Sequence, residues 1–213
     1  MKIRRRGRRQ PMKSLEPLVW SSAYTLERVR YLNEKYLAAV AASTQGEDMP
    51  CSIKAINLYR DLWRRMDARL CGRIAHIPVL LADLYFESPK WWRWIARQGP
   101  QPVRTAGASE PLPITSGTPL LREMLLEACV IARSHPSAAR LVLGMSPPVV
   151  AAISDLQASE IDSIAVTYAR DLQLRWSDNL IFWRNLLLAA VGGSEAEIAA
   201  VRLHSLQLLA NNS

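Results

Sequence analysis

Cations are the residues of this chain whose type and spacing carry chemistry. Lys2, Arg4, Arg5, Arg6, Arg8, Arg9 and Lys13 crowd its start. A guanidinium is permanently charged and presents a planar fork of donors that matches a phosphate. Such a run therefore reads as an arm for polyanions, with affinity that falls steeply as salt rises. Almost nothing apolar accompanies it, so it is expected to be disordered when free; a solubilising tail is the alternative use. A second group, Arg60, Arg64, Arg65, Arg69 and Arg73, flanks an apolar stripe of Tyr59, Leu62, Trp63, Met66, Leu70 and Ile74 at helical spacing. These five are either the wet rim of a core helix or an extension of the phosphate-facing surface. A third segment, Lys90-Trp91-Trp92-Arg93-Trp94-Ile95-Ala96-Arg97, interleaves tryptophan with cations. It suits base stacking, a membrane surface or a protein partner. It equally suits plugging of a core by Trp91 and Ile95, or by Trp94, with the cations left wet.

Other chemistry has no pattern to rest on. His76, His135 and His204 stand at no metal-ligand spacing from a cysteine or carboxylate, and there is no GxSxG, P-loop or GxGxxG. Cys51, Cys71 and Cys129 are odd in number, far apart and in no CxxC pair. That argues against a disulfide framework and a zinc ribbon, and fits a reducing compartment. Carboxylate pairs such as Glu160/Asp162 and Glu195/Glu197 fall in helix first turns, where the helix dipole accounts for them. The expectation is a non-enzyme with no cofactor and no metal. No apolar run reaches the roughly 18 residues of a membrane span. The basic start is not followed by a signal-peptide core, because Glu16, Glu27 and several arginines interrupt it. A cytoplasmic location is expected.

The elements that must position the cations divide the chain unequally. Residues 1–104 carry a net charge of +11 and residues 105–213 a net charge of −3. This suggests a polyanion-facing half and a half that folds or assembles. The Leu-, Ala- and Arg-rich composition, with only 9 Gly and 2 Phe, predicts an all-α chain of many helices. Four parts are expected: a basic arm over 1–19, a basic helical module over 20–97, a Pro/Gly-rich linker over 98–119 and a helical module over 120–213. In the first module the spacing predicts a helix over Tyr24–Ala42 and a loop around Gln45–Pro50. A long helix capped by Ser52 should then run to about Arg73, and a short one should open at Pro78 through Leu80, Leu81 and Leu84. In the second, helices are expected from Thr118-Pro119 to Arg133, over Ser137–Val142, from Ser146-Pro147, from a Ser159 cap and over Asn179–Val191. Leu172–Trp176 alternates like a strand, and Ser194-x-x-Glu197 reads as a capping box for a last helix.

The second module resembles FlhD, the helical subunit of the bacterial FlhD–FlhC transcriptional activator. The resemblance rests on REMLLEACVIARSHPSAARLVLG (Arg122 to Gly144), MSPPVVAAISDLQASEIDSIA (Met145 to Ala165), LQLRW (Leu172 to Trp176) and EIAAVRLHSLQLLA (Glu197 to Ala210). Gly144 stands at the family's Leu-Gly, Arg175 between the aromatics of its Phe-Arg-Phe segment, and His204 at its late-helix His. Leu172 replaces the family's cysteine, which removes an intersubunit disulfide there, and Leu174 replaces the first aromatic. The basic module has no counterpart in the short FlhD chain, and the zinc cysteines of FlhC are missing. The resemblance implies a homodimer that joins an FlhC-like partner regulator on promoter DNA, with Arg175, Trp176 and His204 at the dimer or partner interface. Apolar Ile153 and Ile164, on two short helices joined near Gln157-Ala158, are expected in the dimer core. That pair mimics a helix-turn-helix, but residues 146–170 carry Asp155, Glu160 and Asp162 against Arg170 alone, so it should stay off DNA. The alternatives to a DNA-binding regulator are a helical adaptor of a bacterial secretion or conjugation machine, and an RNA-binding assembly factor. The basic arm and the +11 half favour nucleic acid over the adaptor, and the arm also suits folded RNA.

Overall fold

The computed structural model describes residues 16–45, 53–98 and 117–211, with side chains placed from residue 23 onward. The arm cations, the Ser52 cap, Cys51 and nearly all of the expected linker lie outside the described residues. Within them the fold is all-α. The first half runs α1 (Glu16–Ser43), α2 (Lys54–Leu58), α3 (Arg60–Arg64), α4 (Ala68–Ile74), β1 (Ala82–Asp83) and α5 (Pro89–Gln98). The second runs α6 (Gly117–Ser134), α7 (Pro136–Leu143), α8 (Pro147–Ser154), α9 (Ala158–Tyr168), a 3-10 turn (Ala169–Asp171), β2 (Gln173–Leu174), α10 (Leu180–Gly192) and α11 (Glu195–Asn211).

Second-half elements start and stop where their caps dictate. Pro147 opens α8 after Ser146, Asn179 caps α10 through Phe182 N–H, and Gly144 ends α7 in the left-handed region at φ +64°. Ser194 and Glu197 form the expected box, with Ser194 N–H donating to Glu197 at 2.6 Å. The cap of α9 is Gln157, not Ser159, because Glu160 reaches back to the Gln157 N–H at 2.7 Å.

The first half departs from its apolar stripe. The long helix expected to Arg73 is three short ones. Asp67 is extended and its carboxylate accepts from Leu70 N–H at 2.8 Å, so it starts a new helix instead of continuing the old one. The helix expected at Pro78 is absent, and the chain there runs through bends into β1. Fully buried Asn33 on α1 holds it: the side-chain amide donates to the Val79 carbonyl at 2.8 Å and accepts from Leu81 N–H at 2.8 Å. Leu80 N–H donates to Val142 of the second half at 2.8 Å. Proline lacks an N–H and pushes Ile77 toward extended backbone, so these long-range bonds win over a local turn.

β1 and β2 pair antiparallel with Ala82 opposite Leu174 and Asp83 opposite Gln173. A shift of 91 residues exchanges these two pairs, and it relates much else. It takes Tyr85 (φ 53°) to Trp176 (φ 52°), two non-glycine residues held in the left-handed region. It takes the bond from Ser88 N–H to the Tyr85 carbonyl, 2.9 Å, to that from Asn179 N–H to Trp176, 2.8 Å. Buried Trp92 and Ile95 on α5 map to buried Trp183 and Leu186 on α10, and the end of α1 at Ser43 to the end of α6 at Ser134. The halves are thus structural repeats related by an approximate two-fold axis through the strand pair. They also exchange helices, since α5 packs on α8 while α10 packs on α2, α3 and α4, and α1 lies against α6. Residues of 20–97 and 120–213 consequently share one apolar cluster, with Trp63 against Trp183 at 5.8 Å between ring centroids.

Candidate nucleic-acid interface

Folding consumes several of the cations that make the first half basic. On α1, Arg28 donates to Glu127 at 2.5 Å and Lys35 to Glu123 at 2.6 Å, both carboxylates on α6. The Glu127 hydrogen bond raises Arg28 above its ordinary pKa. Burial disfavours the Glu123 carboxylate, but Lys35, Tyr31 and Arg28 outweigh it and hold its pKa below the ordinary value. The charge division along the sequence is therefore partly cancelled across the two-fold interface.

The five arginines expected on one helix are spread over α3, α4 and the turn between them, and they do not act together. Arg73 is a clasp. It donates to the carbonyls of Ala189 and Ala190 at 3.1 Å each, to Gly193 and to Glu195, closing the C-terminus of α10 where the helix dipole favours a cation. Arg73 is thus directed at the end of α10, with 28% of its side chain exposed. Arg60 bonds Asn57 at 3.1 Å, and Arg64 bonds the Thr44 carbonyl at 3.3 Å while its own carbonyl accepts from Gln45. Arg65 and Arg69 are exposed. The arm residues Arg4, Arg5, Arg6, Arg8 and Arg9 lie outside the described residues.

The interface residues also turn inward. Ile153 and Ile164 are 0% and 1% exposed within this chain's own core, so neither is available to a second subunit. Arg175 is 3% exposed. Its guanidinium donates to the Leu143 carbonyl and sits 3.8 Å from Asp83, on the strand opposite its own. Burial pulls its pKa down, opposed by Asp83 and Glu87. Gly144 closes this pocket: a Cβ there would lie 2.2 Å from Arg175 Nη1. Two of the three residues matched in the FlhD resemblance, Gly144 and Arg175, thus lie against each other. Half-buried Trp176 and His204 both pack their rings on Phe182. The strand expected at a subunit interface meets its counterpart in the same chain.

The tryptophan segment forms α5. Its buried pair is Trp92 and Ile95, not Trp91 or Trp94, and Trp92 Nε1 donates to the Tyr85 carbonyl at 3.2 Å. Half-buried Trp91 packs against Tyr85, Trp92 and Tyr168. Trp94 remains half-exposed, flanked by exposed Lys90, Arg93 and Arg97, and the four line a shallow groove of about 280 Å³. Sequence reasoning had left these roles open; the step of three, four and seven residues was the available signal.

Among the described residues no cluster of metal-ligating side chains occurs, and no single helix is long and apolar enough to cross a membrane. Cys71 and Cys129 are free and buried. Burial pushes the Cys71 thiol up to about 11 and raises Cys129 as well, so neither is a thiolate at neutral pH. No family model, curated protein or solved structure matches the chain.

Proposed function

We propose that this chain is a transcriptional regulator of the FlhD type, acting on promoter DNA within a multi-subunit complex in the cytoplasm. The supporting observation is where positive charge remains after folding. Arg28, Lys35 and Arg73 are occupied inside the molecule, while Arg65, Arg69, Lys90, Arg93 and Arg97 face solvent in the same half that carries the cationic arm. Of these, Lys90, Arg93 and Arg97 stand together on α5, and a cluster of exposed cations is the electrostatic footprint of polyanion binding. A surface for a protein partner also exists. α10 exposes Ile181 and Leu188, and α11 exposes Leu203 and Leu206, all with more than two-fifths of their surface open. With the β2 seam filled from within, a second copy or a partner regulator would meet this outer face.

The test is duplex binding across a salt series. Tight binding at low salt that weakens by orders of magnitude over a few-fold rise in salt supports the reading. Absence of binding at low salt, alone and with the protein encoded next to it, would refute it.

A further inference from the structure

We infer that the α5 groove of Lys90, Arg93, Trp94 and Arg97 is a phosphate-backbone site for duplex DNA. This rests on the DNA reading above and gives it a location. The first ground is geometry. Lys90, Arg93 and Arg97 share one face of α5 and span about 10.5 Å along its axis, at 1.5 Å per residue. One DNA strand places a phosphate about every 3.4 Å of axis, so that span covers about three phosphate-to-phosphate steps. Arg93 is held back along the helix by its Nε bond to the Pro89 carbonyl, 3.1 Å, which keeps it beside Lys90. Trp94 forms part of the groove wall and is only half-exposed. It offers an apolar wall to a sugar-phosphate strand more readily than an open ring for a splayed base.

The second ground comes from the repeat within the chain. α10 is the counterpart of α5, built on the same buried Trp and aliphatic pair. The positions equivalent to Lys90, Arg93, Trp94 and Arg97 are Ile181, Arg184, Asn185 and Leu188, all exposed. One framework therefore carries a mostly uncharged face in one repeat and a cationic one in the other. The fold accepts Ile181 and Leu188 where α5 carries Lys90 and Arg97, so it does not require those two cations, while arginine stands at the third place in both repeats. The face equivalent in place has a different charge, and the +11 half is the one that carries it.

The experiment uses the full chain, a mixed-sequence duplex of about three helical turns, and fluorescence anisotropy from about 50 to 200 mM salt. Lys90→Gln/Arg93→Gln/Arg97→Gln should lower the slope of log K against log salt by about 2.7, at about 0.9 per contact, which corresponds to a loss of about 500-fold at 0.1 M salt. Arg184→Gln, at the place equivalent to Arg93, should leave the slope unchanged, and circular dichroism should show both variants folded. A wild type that binds while the folded triple variant keeps its slope would overturn the α5 assignment and leave the DNA reading standing. A wild type that ignores duplex at low salt would overturn both. Loss of binding to phosphatidylserine vesicles with duplex affinity intact would assign the groove to a membrane surface and likewise overturn the proposal.

Discussion

Gly144→Ala tests the seam between the halves most directly. Gly144 sits at φ +64°, where an L-residue pays about 1–2 kcal/mol. The added Cβ would lie 2.2 Å from Arg175 Nη1 and 3.0 Å from its central carbon, so the guanidinium must move. It is 3% exposed and has no room to reach water. Moving it disrupts a charge-assisted bond to the Leu143 carbonyl, worth roughly 1.5–3 kcal/mol. Gly144→Ala should therefore destabilise by about 2.5–5 kcal/mol, the sum of backbone strain and the lost bond. In an Arg175→Met background the guanidinium is gone, and the same change should cost only the backbone part, about 1–2 kcal/mol. Asp83 tolerates that background because its carboxylate still accepts from Tyr85 and Phe86 N–H at 3.2 Å. Urea unfolding of the four proteins closes the cycle, with a coupling of about 1.5–3 kcal/mol expected, the worth of the lost bond. Additivity within about 0.5 kcal/mol would show that the two residues do not meet, and the geometry of the seam would be wrong.

Two further outcomes follow from the interlocked halves. A protease site inserted within residues 99–116 should, after cleavage, leave two fragments that co-elute as one folded particle, because α5 packs on α8 and α10 on α2–α4; fragments that separate without denaturant would contradict the shared core. The Glu123 carboxylate, held low by Lys35 and Arg28, gives stability that is full above its ordinary value of 4.5 and fades as pH falls through the lower folded value. Glu123→Gln should then flatten the acid limb of a Tm-against-pH curve, and an unchanged limb would show that the α1–α6 ion pairs contribute nothing.

The second half was legible because its signals are local. Pro147, Asn179, Gly144 and the Ser194–Glu197 box each act within four residues, and each sits where its capping chemistry places it. The first half was less legible because its decisive contacts are distant. Asn33 fixes Val79 and Leu81 across more than forty positions, and Arg73 reaches α10 across more than a hundred. An arginine on an apolar flank looks the same in sequence whether it meets water or a helix terminus. Asp67, a helix starter beside an apolar stripe that continues past it, was the one local warning that the long helix would break. The internal repeat did leave a trace: Trp91-Trp92-Arg93-Trp94-Ile95 against Phe182-Trp183-Arg184-Asn185-Leu186, with the buried Trp92/Trp183 and Ile95/Leu186 matched, the exposed arginine kept and Trp94 replaced by Asn185.

That divergence bears on why the two units sit on one chain. In a homodimer with a true two-fold axis every surface appears twice, so a cationic face on one protomer is repeated on the other and any partner face is repeated too. Joined units escape that constraint. Their buried positions must still satisfy the common seam, which is why Trp92 and Trp183 persist and both strand ends keep a left-handed turn. Their exposed positions are free to separate, and two of them have: Lys90 and Arg97 on α5 stand where Ile181 and Leu188 stand on α10. A single chain can then carry one cationic face and one apolar face, at places equivalent by the pseudo-symmetry. A pair of identical subunits would carry the same charge at both of these equivalent places, whereas the joined units carry Lys90 and Arg97 at one and Ile181 and Leu188 at the other.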